Sequence, residues 1–202
     1  MADPRLSAGG LLAEVARPTF LFDFACPECW LAAERVNHEL PVVPAWVPVR
    51  LHATTESAPR APSKTQLVDL ARRARAQGLP VPRLADPWPA DLDLSLRAAT
   101  FAAASGRVVA FSLAALRQAF AAGRDLSNVD NVLIAAAACE LHPRAVLKGV
   151  ESRSVEERLR AASARAKAGG ASALPALLVE GRAFTGASAL EDASAAINSN
   201  AT

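Results

Sequence analysis

"FLFDFACPECWLAAERV", residues 20–36, runs from an aromatic, apolar stretch into two cysteines spaced C-x-x-C and then into helical periodicity. The preceding and overlapping "RPTFLFDF" (17–24) is short and rich in aromatic residues, and it reads as a buried strand. Beyond it, Trp30, Leu31, Ala33 and Val36 fall at helical spacing, and Pro27 suits a first turn, where its missing N–H is not needed. A helix is expected from Pro27 to about Leu40, where Pro41 ends it. "VVPAWVPVRL" (42–51) then reads as a second strand, with prolines that suit an edge or irregular position. Residues 17–52 are thus a strand–helix–strand unit with a cysteine pair at the start of its helix.

Outward from this unit the chain becomes helical. Ser63-Lys-Thr-Gln66 is a capping-box pattern for a helix that stops at Gly78. A loop with Pro80, Pro82, Pro87 and Pro89 follows. Helices are expected over about 95–104 and 108–122, from Ser127-Asn-Val-Asp130 through Cys139, from Pro143, and from Ser154-Val-Glu-Glu157 to Gly169-Gly170. "ALPALLVEGRAFTG" (173–186) reads as two short strands around a turn at Gly181, and Ser188-Ala-Leu-Glu191 caps a last helix to about Ile197. The expected class is α/β: a mixed sheet built from β-α-β and β-β-α pieces, with a large all-helical insertion. The organisation is an N-terminal extension (1–16), a sheet domain (17–58 and 170–202), and the insertion (59–169).

Bulk composition narrows the function classes. The 202 residues carry a formal charge of only +2, and no basic stripe marks a nucleic acid or anionic membrane as partner. No segment is apolar for long enough to cross a bilayer. The first 16 residues lack a cationic start followed by a sustained apolar stretch, so a secretory signal is not expected and the chain reads as cytoplasmic. In a reducing compartment, C-x-x-C points to catalysis or metal binding before a structural disulfide.

Cys26 and Cys29, at i and i+3 in a first helical turn, can reach each other to close a small disulfide ring. Cys26 sits at the helix N-terminus, where unpaired N–H groups and the dipole favour a thiolate, the nucleophilic form. Cys29 lies further in and keeps its proton more easily, so Cys26 attacks and Cys29 resolves the mixed disulfide. Two other readings stand beside this one: inert packed thiols, or half a metal site. A metal would need Cys139 and His142, but Cys139 lies in "IAAAACEL" (134–141), an apolar helix face where it reads as a small buried hydrophobe. No metal is expected. Glu28 suits the first turn, yet its charge opposes a neighbouring thiolate and makes the couple less oxidising. Trp30 shields the pair or packs beneath it, with packing preferred. Asp23 is read as a turn-forming side chain rather than a proton relay.

"FDFACPECWLA" (22–32), "GLPVPRLADPWP" (78–89), "AAGRDLSNVDNVLIAAAACEL" (121–141) and "ALPALLVEGRAFTGASALEDA" (173–193) together resemble the thioredoxin superfamily. The likeness is to the branch holding DsbA-type oxidoreductases, 2-hydroxychromene-2-carboxylate isomerases and kappa-class glutathione transferases. The first and last stretches are the specific ones. The resemblance implies that Leu174-Pro175 is the cis-proline loop beside the active cysteine, with the backbone before the proline pairing a bound thiol or peptide. It implies a substrate site formed by Pro27, Glu28, Trp30, Leu174, Pro175 and Ser188. Two features depart from the isomerase and transferase members. Cys26 stands where they carry serine, and Ala187-Ser188 follows Gly186 where they tend to carry an Asp-Arg pair, although a helix N-terminus capped by Ser188 could still receive an anion. The expected activity is thiol–disulfide exchange on a protein or small-molecule dithiol or disulfide. The alternative is an isomerase or transferase dependent on glutathione or another small thiol, and a third reading is a peptide-binding module. No tightly bound cofactor is expected, glutathione or another low-molecular-weight thiol being a co-substrate at most. Dimeric relatives of the transferase type leave a homodimer open.

Overall fold

β1 (Thr19–Phe22) follows directly from its composition: all of its residues but Thr19 are buried, as a central strand requires. The computed structural model describes residues 17–51, 61–88 and 91–200. The expected 1–16 extension therefore lies outside the described residues. β1 pairs in parallel with β2 (Ala45–Pro48), Phe20 opposite Trp46, and antiparallel with β3 (Ala176–Val179), Leu21 opposite Ala176. β3 pairs antiparallel with β4 (Arg182–Thr185), giving the four-stranded order β2-β1-β3-β4. Pro44 and Pro48 therefore stand on an edge strand, where a missing N–H costs no ladder bond. The β3–β4 turn places Glu180 and Gly181 at φ 48° and 79°, the two left-handed positions of a type I′ hairpin.

The helix expected over 27–40 is instead two short ones, α1 (Pro27–Ala33) and α2 (Val36–Glu39). At the break, Glu34 is drawn to Trp30 and Arg117, while Arg35 bonds Glu39 and Glu191, so neighbouring side chains are anchored to different elements. Between β2 and β3 come α3 (Lys64–Ala76), α4 (Asp93–Ala104), α5 (Val108–Phe120), α6 (Val129–Ala137), α7 (Pro143–Val150) and α8 (Arg153–Ala168), and α9 (Ala189–Asn200) closes the chain. This is a thioredoxin-like mixed sheet carrying a helical insertion.

The helix starts follow capping chemistry. Ser63 and Gln66 form the full expected box on α3. Two others shift. Asn128, not Ser127, caps α6 by accepting the Asp130 N–H, because Ser127 is already engaged with Asp125. α8 starts one residue before the expected Ser154, behind Ser152.

The core is shared by sheet and insertion. Phe20, Phe22, Phe24, Trp46 and Phe111 form a chain of stacked and edge-on rings from β1 and β2 to α5. At the end of β2, Arg50 pairs with Asp93 and Glu156, and Arg97 bonds Asp93 at 2.6 Å and Glu156 at 3.0 Å. The Arg50 N–H also donates to Ser163 Oγ at 2.8 Å, so β2, α4 and α8 meet in one charged clamp. On α7, Gly149 lets Phe101 of α4 approach; an added Cβ would overlap its ring.

Candidate active site

β1 ends at Phe22 and the chain turns at Asp23, whose Oδ1 accepts the Ala25 N–H at 2.8 Å. This Asx turn, the reading preferred from sequence, delivers Cys26 to the N-cap of α1 with φ −113° and ψ 103°. Cys26 is half-buried; Cys29, one turn on, is fully buried. Both are free thiols.

The two sulfurs have different surroundings. Burial pushes the Cys29 thiol well up, and its hydrogen bond to Cys26 adds to this; a backbone N–H of Asp23 acts the other way. Cys29 is thus held as a neutral thiol beside the Cys26 sulfur. Cys26 Sγ faces two acceptors, Leu174 O at 3.4 Å and Glu28 Oε2 at 3.9 Å.

Leu174-Pro175 is a cis peptide, and Leu174, 148 positions along the chain from Cys26, lies against that cysteine. Pro175 O accepts the Gly186 N–H at 2.8 Å, which ties the proline loop to the end of the hairpin. One cavity opens on Cys26, and a second lies on the other side of Glu28. The first, about 420 Å³, is lined by Cys26, Pro27 and Glu28 on one side and by Pro62, Gln66 and Leu70 on the other. The second, about 50 Å³, lies between Glu28, Arg73, Gln77, Pro175, Arg35 and Glu191. Glu28 borders both.

Pro27, Glu28, Leu174 and Pro175 are therefore gathered around Cys26 and Cys29. Trp30 is not with them. It is fully buried, stacks on Phe120 at 6.4 Å between ring centroids, and donates its indole N–H to Glu34 at 3.0 Å. No substrate can touch it, so the expectation of a substrate-binding Trp30 is corrected to a packing role. Ser188 also departs from expectation. Its hydroxyl donates to Asp192 Oδ2 at 2.8 Å, it lines neither cavity, and the first turn of α9 already carries Glu191 and Asp192. Negative charge occupies the place an anion would take. Glu191 cannot complete the expected box because it is held by Arg35 at 2.8 Å.

Sequence reasoning missed Arg73. On α3, it reaches Glu28 with Nη2 at 3.8 Å from Oε1. Nothing in the spacing of α3 marks it, since the contact joins residues 45 positions apart by packing alone. Cys139 is buried at the end of α6, its S–H directed at Ala136 O, 3.2 Å away. Among the described residues no three His, Cys, Asp or Glu side chains gather in a way that could hold a metal ion, and no helix is long and apolar enough to cross a membrane.

A parallel–antiparallel four-stranded sheet, a C-x-x-C at a helix start and a cis-proline against the first cysteine define a thioredoxin-fold protein with a dithiol centre. The chain matches the DSBA-like thioredoxin domain over residues 19–198, and it belongs to that family. No curated protein matches it. Among solved structures it is similar to a 2-hydroxychromene-2-carboxylate isomerase, with TM-score 0.76 and 16% identity over 91% of this chain and 95% of the other. A probable DsbA oxidoreductase from Streptomyces coelicolor gives TM-score 0.75 and 21% identity over 91% of this chain and 88% of the other. The cytosolic disulfide reductase DsbM from Pseudomonas aeruginosa, solved with GSH, gives 0.62 and 16% over 91% and 98%. At these identities the likeness is one of fold.

Proposed function

We propose that the protein is a thiol–disulfide oxidoreductase in which Cys26 is the nucleophile and Cys29 the resolving thiol. The observation that carries this reading is the asymmetry of the pair: a half-buried Cys26 open to a cleft, and beside it a fully buried Cys29 whose thiol is pushed up by burial. In the reductive direction, the Cys26 thiolate attacks one sulfur of a substrate disulfide. The substrate S–S bond breaks, a mixed disulfide forms, and the departing thiolate takes a proton. Cys29 then loses its proton and attacks the Cys26 sulfur, releasing the second substrate thiol. The net change moves two electrons from the dithiol to the substrate and leaves a Cys26–Cys29 disulfide. Reversal oxidises a substrate dithiol. Leu174 O stands where the backbone before the cis-proline would meet the bound thiol, and Pro27, Glu28 and Pro175 border the approach.

The 420 Å³ cleft is wide enough for a small thiol, which supports a second reading, an isomerase or transferase that uses glutathione or another low-molecular-weight thiol as co-substrate. The two readings part at Cys29. Cys29→Ser abolishes multi-turnover disulfide reduction if the pair is the working centre. A variant that keeps full turnover overturns the oxidoreductase reading in favour of the isomerase type. The cytoplasmic setting expected from sequence suits either chemistry.

A further inference from the structure

We propose that Arg73, carried by the helical insertion, is a positioning residue that holds the Glu28 carboxylate and offsets its charge, and that it thereby sets the reduction potential of the Cys26–Cys29 couple. This rests on the oxidoreductase reading and deepens it.

The geometry is a short relay. Glu28 presents Oε2 to Cys26 Sγ at 3.9 Å and Oε1 to Arg73 Nη2 at 3.8 Å. Both side chains are screened from solvent, with 32% of Glu28 and 22% of Arg73 exposed, so their charges are felt more strongly than on an open surface. The other acid within reach of Arg73 is Asp69, 3.5 Å from its Nε. Asp69 is already engaged by Arg72 at 2.5 Å, and the buried Arg73 Nε makes no hydrogen bond. The guanidinium thus stands between two carboxylates, 3.5 Å from Asp69 on its own helix and 3.8 Å from Glu28, and Glu28 is the one that faces Cys26. On the far side, Arg35 is taken up by Glu39 and Glu191, and it bonds no part of Glu28.

The consequence follows from which redox form carries charge. Reduction of the Cys26–Cys29 disulfide takes up two electrons and yields Cys29 as thiol and Cys26 as thiolate or, with a further proton, thiol. A bare carboxylate beside Cys26 disfavours the thiolate and so favours the disulfide, making the couple more reducing. Arg73 cancels part of that effect. A carboxylate in the first turn would otherwise work against the nucleophile, and the counter-charge comes from outside the motif, on α3. The sequence alone suggests a less oxidising couple because of Glu28; Arg73 moderates that expectation.

The test is a double-mutant cycle read as the equilibrium constant with a glutathione redox buffer. Arg73→Gln should lower the constant for reducing the pair about tenfold, which is about 30 mV. Arg73→Lys, which keeps the charge, should stay within about twofold of the parent. In a Glu28→Gln background, Arg73→Gln should change the constant less than about twofold, because the charge it offsets is gone. A structural role for Arg73 would move folding stability equally in both backgrounds and leave no coupling in the potential. Equal shifts in both backgrounds, or no shift in either, overturn the proposal. A parent pair that never equilibrates with glutathione, while the protein is folded, overturns the redox reading and this proposal with it.

Discussion

The buried Cys29 thiol makes an alkaline prediction that can be worked through. Its proton is held above the ordinary thiol value of 9.0 by burial and by the bond to Cys26. In the unfolded chain the same thiol ionises near that ordinary value. The folded state therefore binds more protons than the unfolded state above pH 9, and the stability contributed by the neutral thiol falls as pH rises. The contribution is fully present below about pH 9 and drops by about 1 kcal/mol by pH 10. The chain has no tyrosine, and comparison with Cys29→Ala cancels the other groups that titrate in this range. The assay is urea unfolding of the reduced protein at pH 7, 8, 9 and 10, beside Cys29→Ala. The variant is less stable throughout, but its loss between pH 8 and pH 10 should be smaller than the parent's by about 1 kcal/mol. The Cys26–Cys29 disulfide form, which has no Cys29 proton to lose, should show the same reduced slope. Parallel curves for the reduced parent and Cys29→Ala would refute the claim that Cys29 is held neutral.

Other consequences concern how the helix bearing the pair is held. Glu34→Ala leaves the indole N–H of the fully buried Trp30 without its acceptor, and should cost about 2 kcal/mol in urea unfolding. Arg117, 57% exposed, stays solvated and adds little, and Glu34→Gln, which keeps an acceptor, should lose only about half as much. Gly149→Ala should destabilise by about 1–3 kcal/mol because its Cβ would overlap the Phe101 ring, despite the better helix propensity of alanine. Phe101→Leu in the same chain should recover part of that loss. Breaking the clamp with Arg97→Met should cost stability most at low salt, since Asp93 and Glu156 lose a shared partner.

The order of elements was legible because each part obeyed a local rule. Phe20 to Phe22 read as a buried strand, though the strand stops there and not at Phe24, Pro27 reads as the opening of a helix, and Glu180-Gly181 fits the left-handed positions of a tight hairpin. The cysteine pair and the proline loop were legible as motifs, and the fold brings them to contact through Leu174 O. What failed were inferences about where side chains point. Trp30 packs into the core against Phe120, as its position suggested, and not at the substrate site that the resemblance implied. Ser188 has the identity of a cap, but Asp192 competes for its hydroxyl and Arg35 removes Glu191. Arg73 was invisible because its role depends on how α3 packs over α1, a tertiary fact that no spacing encodes.

The central claim is that Cys26 attacks and Cys29 resolves. Its most direct test is the intact mass of reduced Cys29→Ala after exposure to oxidised glutathione or a disulfide-bonded peptide, followed by mapping of the modified residue. The account predicts one stable adduct per chain, at Cys26, while the parent protein passes through it to the Cys26–Cys29 disulfide. A folded Cys29→Ala that gives no adduct, or one whose adduct maps to Cys139, would contradict it.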